Sequence, residues 1–154
     1  MADSLVVGAI HHLRLTVTDV ARSQAFYTQV LGFAVARAIP TGVLLTQGSF
    51  LLGLGPAPDP AGAPPQDQFN ENRVGLDHLS FQVADYAALE AARDLFAAQG
   101  VLHGEIKDIG LAHVLAFRDP DNIQLELTAP RGNPPAGGAR PGSPAPDQGV
   151  GAPS

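Results

Sequence analysis

Ile10-His11-His12-Leu13-Arg14-Leu15-Thr16-Val17-Thr18-Asp19 is echoed 66 residues later by Leu76-Asp77-His78-Leu79-Ser80-Phe81-Gln82-Val83-Ala84-Asp85. In both stretches apolar residues alternate with others in the manner of a half-buried strand, each ends on an Asp with a helical segment after it, and Asp19 can cap the first. In the first copy His11, Leu13, Leu15 and Val17 share one face; Ile10, His12, Arg14 and Thr16 share the other. Past Asp19 the period changes. Val20, Phe26, Tyr27, Val30 and Leu31 form a stripe at helical spacing, and Gly32 is placed to stop it. Past Asp85 a second helix runs from about Tyr86 to Gln99, stopped by Gly100. A chain that repeats a module and keeps a histidine at the matching position, His12 and His78, points to a site built across the seam between the copies.

The rest of each copy reads as short strands. In the first they are expected at 34–38, 42–47 and 49–54, with Pro40-Thr41-Gly42 as a turn. In the second they are expected at 102–105, 111–118 and 123–128, the last two joined by the turn Arg118-Asp119-Pro120-Asp121-Asn122. The order is βαβββ twice, an α+β fold. The folded unit is expected over residues 6–130. Module one spans about 8–55 and module two about 76–130. The linker 55–75 looks too polar and proline-rich for core. Residues 131–154 contain 12 Gly or Pro among 24 positions and almost no large apolar side chains, so a disordered tail is expected there.

Composition narrows the function classes. The hydrophobic fraction is 45%, ordinary for a globular chain, and the formal net charge is −6 with no basic cluster. Phosphate backbones need clustered positive charge, so nucleic acid is not an expected partner. No apolar run reaches the length of a membrane span. Asp3 stands where a signal peptide would carry a cationic start, and the cytoplasm is the default compartment. The absence of cysteine rules out disulfides, thiolate ligands and a cysteine nucleophile.

His12, His78 and Glu126 are the candidate ligands. Each stands on the more polar face of its strand, and in the last strand Gln124, Glu126 and Thr128 share that face. Two imidazoles and one carboxylate suit a divalent ion (Fe, Mn, Zn, Ni or Co) and leave positions open for substrate. One strand histidine alone is ordinarily a hydrogen-bonded core residue. Two at equivalent positions, with a glutamate flanked by leucines that would be costly to bury without a cation, favour the metal.

These segments resemble one family. Ile10-His11-His12-Leu13 through Asp19, Arg22-Ser23, Phe26-Tyr27 and Val30-Leu31-Gly32-Phe33 are similar to the first module of the vicinal oxygen chelate superfamily. Asp119-Pro120-Asp121-Asn122 followed by Leu125-Glu126-Leu127 is similar to the end of its second. That superfamily holds glyoxalase I, extradiol dioxygenases, methylmalonyl-CoA epimerase, fosfomycin-resistance proteins and bleomycin-binding proteins. The resemblance covers nearly all of residues 8–130. It implies two βαβββ modules curled into a half-open mixed β cup with the helices outside, and a metal held by His12, His78 and Glu126. It also implies a small-molecule substrate and a homodimer.

One departure orders the chemistry. Leu52-Gly53-Leu54 mirrors Leu125-Glu126-Leu127, and where glyoxalase I and the epimerase usually supply a fourth ligand this chain has Gly53. An extradiol-dioxygenase-like oxidoreductase is therefore favoured over a glyoxalase-type lyase or isomerase, with a fosfomycin-type transferase as a further alternative. Against the dioxygenase, the position three residues before Asp119 is Ala116 where those sites commonly carry Tyr. A drug- or metabolite-binding protein of bleomycin-resistance type is the non-enzymatic alternative; such proteins typically lack the metal residues.

Catalytic candidates beyond the ligands are Arg14 and His113. Arg14 shares the face of His12, so its guanidinium can reach a substrate carboxylate or phosphonate, or else an acid within the cup. Strand parity sets His113 opposite Ala116, where packing or surface exposure is the simpler role. His11 is expected to pack against the helix, and His103 to lie on the surface. Ser80, Gln82 and Gln124 are expected as polar neighbours of the ligands, and Val43, Leu45, Leu51 and Val114 as the apolar lining of the cup.

Overall fold

A computed structural model describes residues 5–131. From residue 132 onward the expected disordered tail lies outside the described residues. Module one contains β1 (Leu13–Thr16), α1 (Val20–Gln29), β2 (Ala34–Ile39), β3 (Gly42–Gln47) and β4 (Phe50–Gly55). Module two contains β5 (Leu79–Gln82), α2 (Tyr86–Gln99), β6 (Lys107–Asp108), β7 (Ala112–Arg118) and β8 (Gln124–Pro130).

Both helices begin as their sequences dictate. The Asp19 carboxylate accepts from the Arg22 amide at 3.0 Å, and Asp85 does the same for Ala88 at 2.9 Å. Gly100 ends α2 in the left-handed conformation at φ 67°, where a side chain would be strained.

The modules form two four-stranded sheets of the same topology, β1-β4-β3-β2 and β5-β8-β7-β6. In each, the first strand runs parallel to the last and the remaining neighbours are antiparallel. Among the described residues no ladder joins the two sheets, so no barrel closes, and β1 and β5 are both edge strands. Gly42 opens β3 beside the Leu54–Gly55 backbone of β4. At φ 138° it has room for no side chain, since a Cβ there would lie 1.9 Å from the Leu54 carbonyl oxygen.

One core serves both modules. Leu15, Val43, Leu45, Leu52 and Leu54 of the first sheet are buried in the same cluster as Leu115, Phe117, Leu125 and Leu127 of the second. Phe33 and Phe50 meet Phe81 edge-on at 5.7 and 6.1 Å, which carries the packing across the seam. Tyr27 from α1 and Leu89 and Phe96 from α2 are fully buried in it. Alternation then sends Arg14, Leu44 and Gly53 to the opposite, open face of sheet one, and Ser80, Glu126 and Thr128 to that of sheet two.

Four expectations are corrected. Val43 and Leu45 pack into the core instead of lining the open face, because the register pairs them with Leu54 and Leu52. The strand expected at 102–105 is reduced to a single bridge, His103 to Phe117, and the regular pairing with β7 comes later at Lys107–Asp108. Part of the linker is anchored. Phe69 packs against the core, its amide donates to the Asp121 carbonyl at 3.0 Å, and Asn122 donates back to its carbonyl at 2.9 Å. His11 is exposed, with its Nδ1 2.9 Å from Nδ1 of His12, so it does not pack against a helix.

Candidate functional site

His78 immediately precedes β5 and Glu126 lies in β8, the parallel neighbour of β5. The ladder brings their side chains together, with His78 Nε2 3.9 Å from Glu126 Oε1. Asp77 Oδ1 lies 2.6 Å from the other ring nitrogen, Nδ1. A proton on Nδ1 answers that carboxylate and leaves the Nε2 lone pair turned toward Glu126. His78 Nε2 and the Glu126 carboxylate thus face each other across 3.9 Å with no hydrogen bond between them.

Glu126 is oriented as well. Thr128 Oγ1 donates to its Oε1 at 3.1 Å, and Ser80 Oγ lies 2.5 Å from the Thr128 hydroxyl. Gln124 Nε2 reaches Asp77 Oδ1 at 3.4 Å, so the residues expected around the ligands form one connected set, except Gln82.

The third candidate stands apart. His12 precedes β1 in the other module and contacts His11. Among the described residues, no three His, Asp or Glu side chains of a single chain converge on one point. His113 lies on the helix-facing side of β7, paired with Ala129, its ring edge-on to Tyr86 at 4.9 Å and Nε2 3.9 Å from Asp108. That is the sheet face away from Glu126.

On sheet one the open face holds a cation. Arg14 pairs with Gly53 in the ladder, its methylenes pass over Gly53, and Nη2 donates to the Thr41 carbonyl at 2.9 Å. A cleft of about 890 Å³ begins at Arg14 and follows β1 to Thr18, bordered by Pro58, Phe69 and Leu76.

Sequence reasoning saw Arg118 and Asp119 as turn residues and missed a polar latch between the modules. Asp119 is buried and accepts from the Tyr27 hydroxyl at 3.1 Å and from the amides of Asp121 and Ile123. Burial raises its carboxyl above the ordinary range, and burial together with the Asp119 charge pushes the Tyr27 phenol up. Asp121 receives the Thr18 amide and hydroxyl and, at 2.7 Å, the Arg22 guanidinium. The available signal was the pairing of an acidic turn in one module with Thr18, Arg22 and Tyr27 in the other.

The family model described as Glyoxalase/Bleomycin resistance protein/Dioxygenase superfamily matches residues 9–127. The chain belongs to this superfamily. Among curated relatives it is similar to the uncharacterized protein YwkD of Bacillus subtilis, 30% identical over 132 residues that cover 80% of this chain and 98% of YwkD. Among solved structures it is similar to a glyoxylase/bleomycin resistance protein/dioxygenase domain from Frankia sp. EAN1pec. That likeness has 29% identity and a TM-score of 0.66, covering 82% of this chain and 95% of the other. The fold is shared with a lactoylglutathione lyase from Agrobacterium tumefaciens, at 22% identity and a TM-score of 0.64, covering 80% and 94%. Superfamily members generally use a divalent metal, bind small molecules and are often dimers. Among the described residues, no helix is long and apolar enough to cross a membrane.

Proposed function

We propose that this protein is a divalent-metal-dependent enzyme acting on a small substrate that presents vicinal oxygens, with His12, His78 and Glu126 as the metal ligands. The observation that carries the reading is the His78–Glu126 pair, held by Asp77 on one side and Thr128 on the other. A bound divalent ion supplies Lewis-acid stabilisation of negative charge developing on substrate oxygens. The protein's own contribution is orientation. Asp77 fixes the His78 tautomer, and Thr128 with Ser80 fixes the carboxylate.

The centre is completed between two copies of the chain. Strands β1 and β5, each at one edge of its sheet, lack an outer partner among the described residues. Leu5, Val6, Val7 and Ile10, which lead into β1, are 77–92% exposed, an apolar run that a second copy would cover. Pairing the β1 edge of one chain with the β5 edge of another brings His12 to His78 and Glu126 of the partner subunit. The cleft along β1 is the space that strand would enter.

Within this class the chemistry favoured is oxidative cleavage of extradiol type. Gly53 offers no carboxylate to carry a proton between substrate carbons, which lyase and isomerase chemistry of glyoxalase type requires. Elemental analysis of anaerobically purified protein tests the reading. About one Fe or Mn per chain, lost in His78→Ala and in Glu126→Ala, supports it. Ni, Co or Zn at that ratio transfers the protein to the glyoxalase-type alternative. Failure to take up any divalent ion on reconstitution removes the enzyme and leaves a binding protein.

A further inference from the structure

The two modules place different residues at one ladder position. In module two Ser80 pairs with Glu126; in module one the equivalent strands pair Arg14 with Gly53. A small residue beside a carboxylate has become a long cation beside no side chain at all. The exchange is steric as well as electrostatic. A Cβ at Gly53 would lie 3.5 Å from the Arg14 Cγ, in ordinary contact, so the space a longer side chain would need is taken by the arginine. Two residues along the strand, on the same face, a Cβ at Gly55 would lie 2.0 Å from Arg14 Nη2 and 2.3 Å from the Thr41 carbonyl oxygen. Glycine at 53 and 55 thus clears a trough in which the guanidinium lies, pinned at its end by Thr41 at 2.9 Å.

Among the described residues no carboxylate lies within 4.0 Å of Arg14, although the chain carries a net charge of −6 and most other arginines pair with one. The guanidinium uses one donor on Thr41 and has four left, in the planar fork that matches a two-oxygen anion.

We propose that Arg14 receives an oxyanion of the substrate, a carboxylate or a phosphonate, on the open face of sheet one, where its guanidinium lies over Gly55 beside the Thr41 carbonyl. The inference rests on the metal-centre reading and names the substrate class for it: a chelating molecule that carries an anionic group. A cation in place of a carboxylate there repels a second cation and attracts an anion, so the module inequality becomes substrate selection.

The test is isothermal titration calorimetry with two probes, methylphosphonate and acetate, against zinc-loaded wild type, Arg14→Ala and Arg14→Lys. Zinc content and circular dichroism are recorded for each. With zinc retained, Arg14→Ala is expected to bind the better probe about 10- to 100-fold more weakly, the range for losing a charge-assisted hydrogen bond. Arg14→Lys, which keeps the charge and loses the fork, is expected to recover part of the loss. Stronger binding of methylphosphonate assigns a phosphonate or phosphate substrate, and stronger binding of acetate a carboxylate. Equal affinity in wild type and Arg14→Ala overturns the proposal and leaves the metal centre standing. Loss of zinc from Arg14→Ala also overturns it, since Arg14 would then serve the metal. If wild type takes up neither zinc nor any other divalent ion the metal reading falls, and the same comparison on metal-free protein still decides Arg14.

Discussion

His78 is informative because both of its nitrogens have an assigned neighbour. Nδ1 meets Asp77 at 2.6 Å and Nε2 faces Glu126 at 3.9 Å. A carboxylate behind a metal-bound imidazole fixes the tautomer and raises ligand basicity, and losing it typically weakens metal binding about 10- to 100-fold. Asp77→Ala is expected to show that loss in a Co(II) titration followed by visible absorption, with far-ultraviolet dichroism unchanged. Much at this scale was legible in the sequence. The repeat aligns His12 with His78, and Gly53 with Glu126, without any coordinates. Asp77 was not legible as an orienting group, because an acid beside a histidine points to the opposite strand face in an ideal strand. Here His78 precedes the first regular residue of β5, Leu79, so strict alternation does not apply. The trough under Arg14 was hidden too, since it depends on the β1–β4 register and on the Thr41 carbonyl across the turn.

Elements join through side chains that periodicity cannot assign. The two helices and the seven longer strands follow from pattern and turn chemistry. The linker does not, because Phe69 is a lone aromatic in a polar run and only its docking on the turn 119–122 makes it core. Glu71 secures that docking through a two-pronged pair with Arg118, at 2.6 and 3.0 Å. Hydrogen bonding from Arg118 holds the Glu71 carboxyl down at about 2, against its ordinary 4.5. A lowered folded value means the pair stabilises fully above the ordinary value, and that contribution is lost as pH falls toward 2. Glu71→Gln is therefore expected to lower Tm at neutral pH and to flatten the fall in Tm between pH 4.5 and 2. On the other side of the turn, Tyr27→Phe removes the hydroxyl that Asp119 accepts. Thermal or denaturant unfolding is expected to show a loss of about 1–3 kcal/mol, the cost of leaving a buried charged acceptor short of a donor.

At the scale of the molecule, the shared core and the separation of the proposed ligands belong together. Phe33, Phe50 and Phe81 bind the two modules into one body, and the Asp119 and Asp121 latch adds polar contacts between them. The same packing leaves both first strands at sheet edges and His12 away from the His78–Glu126 pair. The sequence repeat made the two-module fold legible. It did not tell whether both halves of the proposed site come from one chain, because a repeat reads the same in either arrangement. Mixing His12→Ala chains with Glu126→Ala chains, after unfolding and refolding together, separates the arrangements. In the mixed dimer of a shared site one centre lacks both ligands and the other is intact. Elemental analysis of the isolated mixed dimer is predicted to find one divalent ion per two chains, with none in either variant alone. No ion in the mixed dimer, where wild type holds one per chain, would contradict the account.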